Sequence, residues 1–320
     1  MLDEEYRALI EAAGIVDLSQ RSRIEARGDD RVSFLHKLST NDVSGLPVGG
    51  GCETFFLDAR GHVLGHALLI KRPDSIAIET ASGQSDSLLK HLDRYLIREK
   101  VEFYERTNDW GELLLSGSRS QSVLGQLARG ELPTTCLASA EMEVAGQQTT
   151  AVRVEMTPTG GYLILADSAV CQAVLDALKS QGAVVCGQDA FEAARIEAGF
   201  PVYGQDISDK NLPQEVDRNE LAISFRKGCY LGQETVARID ALGHVNKALV
   251  RLDFESATAP PPGTELIAGE VEVGQVTSSA ISPRTRGAIA VGYVRRGSND
   301  AGVRLSTAFG PAVVAGRRAD

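Results

Sequence analysis

The first two thirds of the chain alternate between two patterns of apolar and polar residues. Apolar residues spaced three and four apart predict helices, and short apolar or alternating runs predict strands. We expect helices at residues 3–13, 30–39, 85–96, 169–179 and 189–198, with Gly14 ending the first. We expect strands at residues 54–57, 63–70, 101–104, 113–115, 149–154 and 162–165. This mixture of elements predicts an α+β architecture.

The pattern changes after Asn246. The remaining residues contain short β segments at 249–254, 270–276 and 289–294, a Pro260-Pro261-Pro262-Gly263 break, and no helical periodicity. Proline and glycine at this density separate strands from one another. We therefore expect two regions: residues 1–245 with both element types, and residues 246–320 as a small β-barrel domain.

The composition is that of an ordinary globular protein. The 320 residues are 43% hydrophobic, and 33 basic residues against 43 acidic ones give a formal net charge of −10. This excess of acids argues against unspecific binding to nucleic acid or to a membrane surface. Segment 281–320 is the exception, because it carries seven arginines and only two acids. The seven are Arg284, Arg286, Arg295, Arg296, Arg304, Arg317 and Arg318.

The cysteines and histidines give no sign of a metal site. The five cysteines are odd in number, widely spaced and free of any C-x-x-C, which fits a reducing compartment. His62 and His66 lie four residues apart next to a predicted strand, where about 13 Å separates such positions and one ion cannot be shared. The apolar stretches are far shorter than the 18 or so residues of a membrane span. We expect a soluble, cytoplasmic protein.

Glu197 stands in the last turn of the helix predicted at 189–198. The helix dipole disfavours a carboxylate there by a few tenths up to about 1 kcal/mol. Either Glu197 is solvated or paired with Arg195, or it is held in place to accept hydrogen bonds from a ligand. Both interpretations stay open at this point.

One segment combines two basic residues, a cysteine, a tyrosine and two glycines. Its sequence is Arg226-Lys227-Gly228-Cys229-Tyr230-Leu231-Gly232-Gln233-Glu234. A helix is expected from Gln233 to a stop near Gly243. Cys229 then precedes a helix amino terminus and follows Lys227, and both features stabilise a thiolate. The alternative is a buried, unreactive cysteine beside a tight turn.

These segments resemble the YgfZ/GcvT superfamily, the folate-binding group that includes the aminomethyltransferase (T-protein) of the glycine cleavage system. Gly14-Ile15-Val16-Asp17-Leu18-Ser19 resembles the early G-x-x-D-x-S of that family, and Thr40-Asn41-Asp42 resembles its TND. Arg195-Ile196-Glu197-Ala198-Gly199 resembles the segment before the central pocket. The similarity runs through nearly the whole chain.

Two features resemble the YgfZ branch more than the T-proteins. Lys227 to Glu234 is close to K-G-C-[YF]-x-G-Q-E, where T-proteins have K-x-D-F-x-G. T-proteins also carry two aspartates, the second of them catalytic, where this chain has Gly65 and His66. An imidazole is not an electrostatic substitute for that carboxylate. The resemblance therefore predicts that the acid which steers the amine is absent.

The resemblance implies a three-lobed fold around a central hole, with two α+β lobes in residues 1–245 and the barrel in residues 246–320. The hole would hold tetrahydrofolate or a derivative, with Glu197 accepting hydrogen bonds from the pterin. The implied folate-binding residues are Glu197, Arg195, Lys247 and Tyr230. The motif residues are Lys227, Gly228, Cys229, Tyr230, Gly232, Gln233 and Glu234, with Cys229 as the reactive thiol. A monomer is expected.

The function implied by the resemblance is that of a folate-dependent accessory protein. It would support assembly or repair of iron–sulfur clusters in client enzymes, including enzymes that modify transfer RNA. Its partners would be folate and iron–sulfur client proteins or assembly factors, without direct contact with nucleic acid or membrane. Two alternatives stay open: a true aminomethyltransferase, and an RNA-binding module that uses the basic carboxy-terminal segment. The sequence does not decide whether any reaction is catalysed.

Overall fold

The computed structural model describes residues 2–315. Its helices are α1 (Leu2–Glu11), α2 (Arg31–Leu38), α3 (Ser85–Asp93), α4 (Ser120–Leu127), α5 (Ser168–Ser180), α6 (Gln188–Ala198), α7 (Asn219–Ala222) and α8 (Gln233–Leu242). Its strands up to the barrel are β1 (Gly14–Asp17), β2 (Ser22–Arg27), β3 (Gly51–Leu57), β4 (Val63–Lys71), β5 (Ser75–Thr80), β6 (Glu102–Glu105), β7 (Trp110–Ser116), β8 (Ala128–Arg129), β9 (Ser139–Val144), β10 (Gln147–Val154), β11 (Gly161–Asp167) and β12 (Val184–Val185). The barrel strands are β13 (Lys247–Phe254), β14 (Glu265–Ala268), β15 (Val271–Ile281), β16 (Ala288–Arg295), β17 (Arg304–Leu305) and β18 (Ala312–Val314). Two 3-10 helices, Thr107–Asp109 and Pro213–Val216, complete the elements of this range.

The strands form three sheets. The large sheet has the order β12-β1-β7-β11-β10-β9-β8, and the small sheet has the order β3-β4-β5-β2-β6. The chain leaves the large sheet after β1, builds the whole small sheet, and returns with β7. The small-sheet lobe is therefore an insertion into the large-sheet lobe, so the two α+β lobes are not successive halves of the sequence.

The third sheet is the barrel, with the order β14-β15-β16-β13-β18-β17. Its two edge strands are joined by a bridge between Ile267 and Ser306, whose backbone groups exchange hydrogen bonds of 3.0 and 2.8 Å. This bridge nearly closes the sheet and satisfies edge groups that would otherwise be unpaired. The predicted α+β lobes and carboxy-terminal β-barrel are confirmed.

Local signals place several element ends as expected. Helix α6 ends at Gly199, with φ 66°, and α8 ends at Gly243, with φ 71°, both in the left-handed conformation that glycine tolerates. The prediction for Gly14 is wrong, because α1 ends at Glu11 and Gly14 begins β1. A Cβ on Gly14 would lie 2.7 Å from Leu9 Cδ2 and 2.9 Å from Cys186 Sγ. Glycine is needed there because other side chains pack against its backbone.

A central core joins the three units. It combines Phe55 and Leu57 of the small sheet with Ile196 of α6 and with Leu249 and Val291 of the barrel. Burial of such side chains stabilises each by roughly 1.5–3 kcal/mol relative to exposure, so the lobes are held by apolar packing. No helix within residues 2–315 has the length and apolar character needed to cross a membrane.

Candidate functional site

A cavity of about 990 Å³ lies where the end of α6, residues 216–221 and strand β13 meet. Its charged lining residues are Glu155, Asp217, Arg218, Glu220, Arg251 and Asp300. Asn219 also lines it, and within the described residues its buried Oδ1 has no hydrogen-bond partner. An unsatisfied buried acceptor carries an energetic penalty that a donor can relieve. Carboxylates and this amide make the cavity rich in acceptors, which suits a ligand that donates hydrogen bonds.

Glu197 immediately precedes the cavity-lining residues Ala198 and Gly199. The hydroxyl of Tyr6 donates to its Oε2, the hydroxyl of Ser282 donates to its Oε1 at 2.5 Å, and Arg284 Nε lies 3.4 Å from Oε1. Burial, followed by the hydrogen bond to Glu197, raises the pKa of Tyr6 well above its usual value. The suggestion that Glu197 is solvated or paired with Arg195 is therefore wrong. These contacts, from α1 and from the barrel, compensate a carboxylate at an unfavourable helix end.

Arg195 connects α6 to the barrel through hydrogen bonds, and its side chain is 0% exposed. Its guanidinium donates to Glu192, Gln205, Asp206, Ser278 and the carbonyl of Phe200. The bond to Asp206 is 2.9 Å long, and that carboxylate is also 0% exposed. All three guanidinium nitrogens are occupied by protein groups.

The other two predicted folate residues are Lys247 and Tyr230. Lys247 begins β13, with its Nζ 4.8 Å from the ring centre of Tyr293 and 3.7 Å from Glu215 Oε2. Tyr230 is buried within the central core, and burial raises its pKa to about 12. Neither side chain lies against Glu197 in a described contact. The predicted folate residues therefore do not form one cluster of contacting side chains.

His66 stands where the resemblance predicts the loss of a catalytic aspartate, yet a carboxylate lies beside it. His66 Nε2 is 2.8 Å from Glu53 Oε1, and Arg218 bonds both oxygens of Glu53, with Nη2 to Oε2 at 2.6 Å. Burial acts to raise the pKa of Glu53, but Arg218 and then His66 outweigh it and hold that pKa well below its ordinary value. Glu53 is thus ionised, and its charge is compensated by Arg218.

Neither Glu53 nor Arg218 was predicted from the sequence to be a site residue. The one available signal was an acid inside the apolar strand β3, whose burial pattern leaves that acid nowhere to face solvent. Arg218 lies 165 residues away and gives no local signal. Buried charges are normally paired, so an acid in a buried strand calls for a distant cation.

Lys227 anchors the motif to the small-sheet lobe. Its Nζ donates to the carbonyl oxygens of Ser39 and Asn41 at 2.7 Å each, and also to that of His36, at the end of α2. Burial lowers its pKa to about 8. The sequence interpretation placed this ammonium beside Cys229 as a partner of the thiolate. In the structure all three of its protons are directed to backbone carbonyls instead.

Gly232 fixes the motif against the β3–β4 turn. Its φ is 80°, and a Cβ there would lie 2.7 Å from the carbonyl oxygen of Asp58. Across the same contact, a Cβ on Gly61 would lie 2.7 Å from Thr235 Cβ. Both positions therefore require glycine for close approach as well as for backbone conformation. Helix α8 then begins at Gln233, with Glu234 in its first turn.

Cys229 is exposed, so the alternative of a buried structural cysteine is wrong. Gly228 beside it has open space around its Cα. Lys227, Tyr230 and Gly232 are anchored on either side by the contacts above. The motif therefore holds one exposed thiol between residues that are anchored to the rest of the protein.

We expect iodoacetamide to label Cys229 before the other cysteines of the folded protein. Burial raises the thiol pKa of Cys52 to about 12 and that of Cys186 to about 11, and it also raises those of Cys136 and Cys171. Because the thiolate is the nucleophile, Cys52 and Cys186 should react at least about 10-fold more slowly near neutral pH, and the raised thiol pKa of Cys136 and Cys171 should slow these two as well. Site-resolved mass spectrometry over a time course measures this. Cys136 is the matched control, because it is also exposed, and faster labelling of Cys136 would contradict the expectation.

The structure describes five of the seven arginines of segment 281–320. Arg317 and Arg318 lie outside the described residues. Of the others, Arg284 contacts Glu197, and Arg304 lies 3.4 Å from Glu255. Part of the positive charge is thus paired within the protein.

Comparison with known proteins agrees with this architecture. Residues 1–227 match the family described as GCVT N-terminal domain, and residues 247–315 match the Glycine cleavage T-protein C-terminal barrel domain. The chain is 29% identical over 305 residues to an aminomethyltransferase of Symbiobacterium thermophilum, covering 91% of this chain and 80% of that protein. It is 28% identical over 298 residues to the putative transferase At1g60990, chloroplastic, of Arabidopsis thaliana, covering 92% and 68%.

A solved structure shares the fold. The glycine cleavage system aminomethyltransferase T from Bartonella henselae superimposes with a TM-score of 0.89 at 19% identity, covering 99% of this chain and 88% of that one. Together with the two matched domains, which span most of the sequence, this fold agreement leads to one assignment: the chain belongs to the glycine cleavage T-protein family.

Proposed function

We propose that the protein binds tetrahydrofolate or a close derivative in the cavity of about 990 Å³. The observation that carries this proposal is the acceptor-rich wall, with the unpaired Oδ1 of Asn219 beside several carboxylates. A pterin presents amino and N–H donors along one edge, which such a wall can receive. The volume also lies within the range of about 300–1,000 Å³ that is typical of small-molecule sites. Membership of the T-protein family supports the same ligand.

Glu197, which adjoins the lining residue Ala198 without itself lining the cavity, is the proposed acceptor for the pterin. To receive new donors it must give up an existing contact, and the most readily lost is Arg284, whose Nε lies 3.4 Å away on a side chain that is 61% exposed. Arg195 would act indirectly by holding the end of α6 in place. Lys247, next to the lining residue Ala248, is the proposed cation for the glutamate tail of folate. Tyr230 would support the site from the central core. When bound, the folate would supply the nitrogen that accepts a one-carbon unit.

We expect Glu197→Gln to weaken folate binding by about 10- to 150-fold, because losing a charged acceptor costs roughly 1.5–3 kcal/mol. Isothermal titration calorimetry on the wild type and the variant measures the effect. Ser282→Ala is the matched control, since it removes a structural contact of Glu197 but keeps the carboxylate. Equal loss of affinity in both variants would assign Glu197 a purely structural role, and no binding by the wild type would remove the folate proposal.

Two activities fit a folate-binding protein of this family. The first is aminomethyl transfer, which the names of the similar proteins support better than they support the accessory role expected from the sequence. The second is the accessory role in assembly or repair of iron–sulfur clusters in client enzymes. One observation favours it: the thiol of Cys229 is exposed between anchored residues, as a group offered to a partner would be.

A steady-state assay with tetrahydrofolate and an aminomethylated lipoyl carrier separates the two activities. The carboxylate beside His66 is that of Glu53, whose charge is compensated by Arg218, so at this position no unpaired carboxylate is offered to the amine. Loss of one positioned electrostatic group commonly costs about 10²- to 10³-fold in rate, so we expect turnover well below the usual range of about 1 to 10³ s⁻¹. Turnover within that range would establish aminomethyl transfer. For the accessory role, we expect Cys229→Ser, but not Cys136→Ser, to lower the activity of iron–sulfur enzymes in cells.

A further inference from the structure

A second cavity, of about 450 Å³, lies around Trp110, the single tryptophan of the chain. Strand β2, the Thr107–Asp109 turn and the start of α5 form its walls, and it shares no lining residue with the folate cavity. Three arginines line it: Arg27, Arg72 and Arg106. Neither proposed activity uses these residues.

Two of the three arginines are paired with acids at the cavity wall. Arg27 lies 3.1 Å from Glu25, and Arg106 lies 3.3 Å from Glu25 and 2.8 Å from Asp109. The remaining acid of the wall, Asp167, accepts a hydrogen bond from the backbone N–H of Ala169 as the cap of α5. The acids that line this cavity are therefore already engaged.

Arg72 is the exception. Among residues 2–315 no carboxylate lies within 4.0 Å of its guanidinium, its Nε is buried without a hydrogen-bond partner, and its one polar contact is Nη2 to Thr150 Oγ1 at 3.3 Å. Burial, followed by the charge of Arg23, lowers its pKa, and the charges of Glu25 and Glu141 oppose this without reversing it. A partly buried cation beside a second cation is unfavourable unless an anion compensates it.

Both cations lie near the ring of Trp110. The guanidinium carbon of Arg72 lies 5.4 Å from the ring centre, and that of Arg23 lies 5.9 Å from it. Cation–π contact keeps a guanidinium in place but provides no acceptor for its N–H groups. Arg72 is thus positioned with donors that the described part of the chain does not satisfy.

We propose that this cavity binds a phosphate-type oxyanion, with Arg72 as the main contact and Arg27 and Arg106 completing the site. The forked donors of arginine match the oxygens of a phosphate, and charge-assisted bonds to them are strong. The acids Glu25, Asp109 and Asp167 also line the cavity and oppose a long polyanion, so the proposed ligand is a compact anion that contacts the unpaired Arg72. The volume exceeds that of one phosphate, so the site can take inorganic phosphate or a small phosphate monoester.

The sole tryptophan makes the site directly observable. Titration of the full-length protein with inorganic phosphate, at constant ionic strength set with sodium chloride, should change the fluorescence of Trp110 saturably. A parallel titration with glycerol 3-phosphate distinguishes the two sources: tighter binding than phosphate assigns the site to a monoester, and equal or weaker binding assigns it to the free ion. Acetate is the carboxylate probe. Binding of acetate as tight as that of phosphate, or no saturable change with either phosphate probe, would overturn the proposal.

Arg72→Gln should weaken phosphate binding by at least about 10-fold, as expected for loss of a charge-assisted contact. Arg129→Gln is the matched control, because it removes the same charge from an exposed strand of the large sheet, and its affinity should stay within about 2-fold of the wild type. Arg27→Gln is a second variant, for which an intermediate loss is expected. Phosphate should also raise the thermal midpoint of the wild type and of Arg129→Gln more than that of Arg72→Gln. Equal affinity in the wild type and Arg72→Gln would exclude this site.

Discussion

Replacing Arg195 by methionine is expected to lower the free energy of unfolding by about 3–5 kcal/mol. The substitution leaves the carboxylate of Asp206, which is 0% exposed, without its cationic partner, and removing one member of a buried ion pair typically costs that much. It also removes the contacts that join α6 to Gln205 and to Ser278 of the barrel. Denaturant unfolding at pH 7 measures the loss.

Two further variants make this result specific. Arg129→Met changes an arginine that is 82% exposed and should alter the free energy of unfolding by no more than about 0.5 kcal/mol. Arg195→Met combined with Asp206→Asn should recover part of the loss, because the unpaired charge is then gone. If Arg195→Met lowered the free energy of unfolding by less than about 1 kcal/mol, as ordinary point mutations do, Arg195 would not hold the lobes together.

Arg218→Met is expected to destabilise the protein by about 3–5 kcal/mol at pH 7, because it leaves Glu53 buried with His66 as its only described ionisable partner. In the wild type the folded pKa of Glu53 is depressed, so its contribution is present above the unfolded value of about 4.3 and is lost as pH falls further. In the variant, burial raises that pKa. The folded variant then binds the extra proton, and its stability should rise as pH falls from 7 toward 5.

The difference in the free energy of unfolding between wild type and Arg218→Met is therefore expected to narrow as the pH falls. Denaturant unfolding at pH 5, 6, 7 and 8 measures it. The double variant Arg218→Met with Glu53→Gln lacks the buried carboxylate. Its free energy of unfolding should therefore differ from that of the wild type by a nearly constant amount at all four pH values. If the difference between wild type and Arg218→Met did not change with pH, Glu53 would not be the group left unpaired.

The ends of α6 and α8 were predictable from the sequence because they depend on a few adjacent residues. Gly199 ends α6, and α8 runs from Gln233 to Leu242 before Gly243, as expected. Strand β2 was missed, because the charges in its sequence Ser-Arg-Ile-Glu-Ala-Arg are typical of surface positions. Its Arg23 is instead buried in an ion pair with Glu112 at 2.7 Å. That pairing spans 89 residues, which no local pattern reports.

The arrangement of the lobes was also beyond local reasoning. Both α+β lobes were expected within residues 1–245, but the insertion of the small sheet between β1 and β7 depends on their antiparallel pairing, with Gly14 opposite Ser116. Such a contact follows from packing of both strands and not from residues near either one. Gly14 illustrates the same point, since its role is to admit Leu9 and Cys186 against its backbone.

For the candidate site, the sequence by itself determined which residues are unusual: an acid at the end of α6, a histidine in β4, and a Lys-Gly-Cys-Tyr segment before α8. Only the tertiary structure decided what those residues contact. Glu197 meets Tyr6 from 191 positions away, His66 stands beside a carboxylate compensated by Arg218, and Lys227 caps α2 while Cys229 stays exposed. The physical reason is that helix ends and turns depend on neighbours along the chain, whereas a buried charge is satisfied by whichever group the fold places within about 3 Å of it.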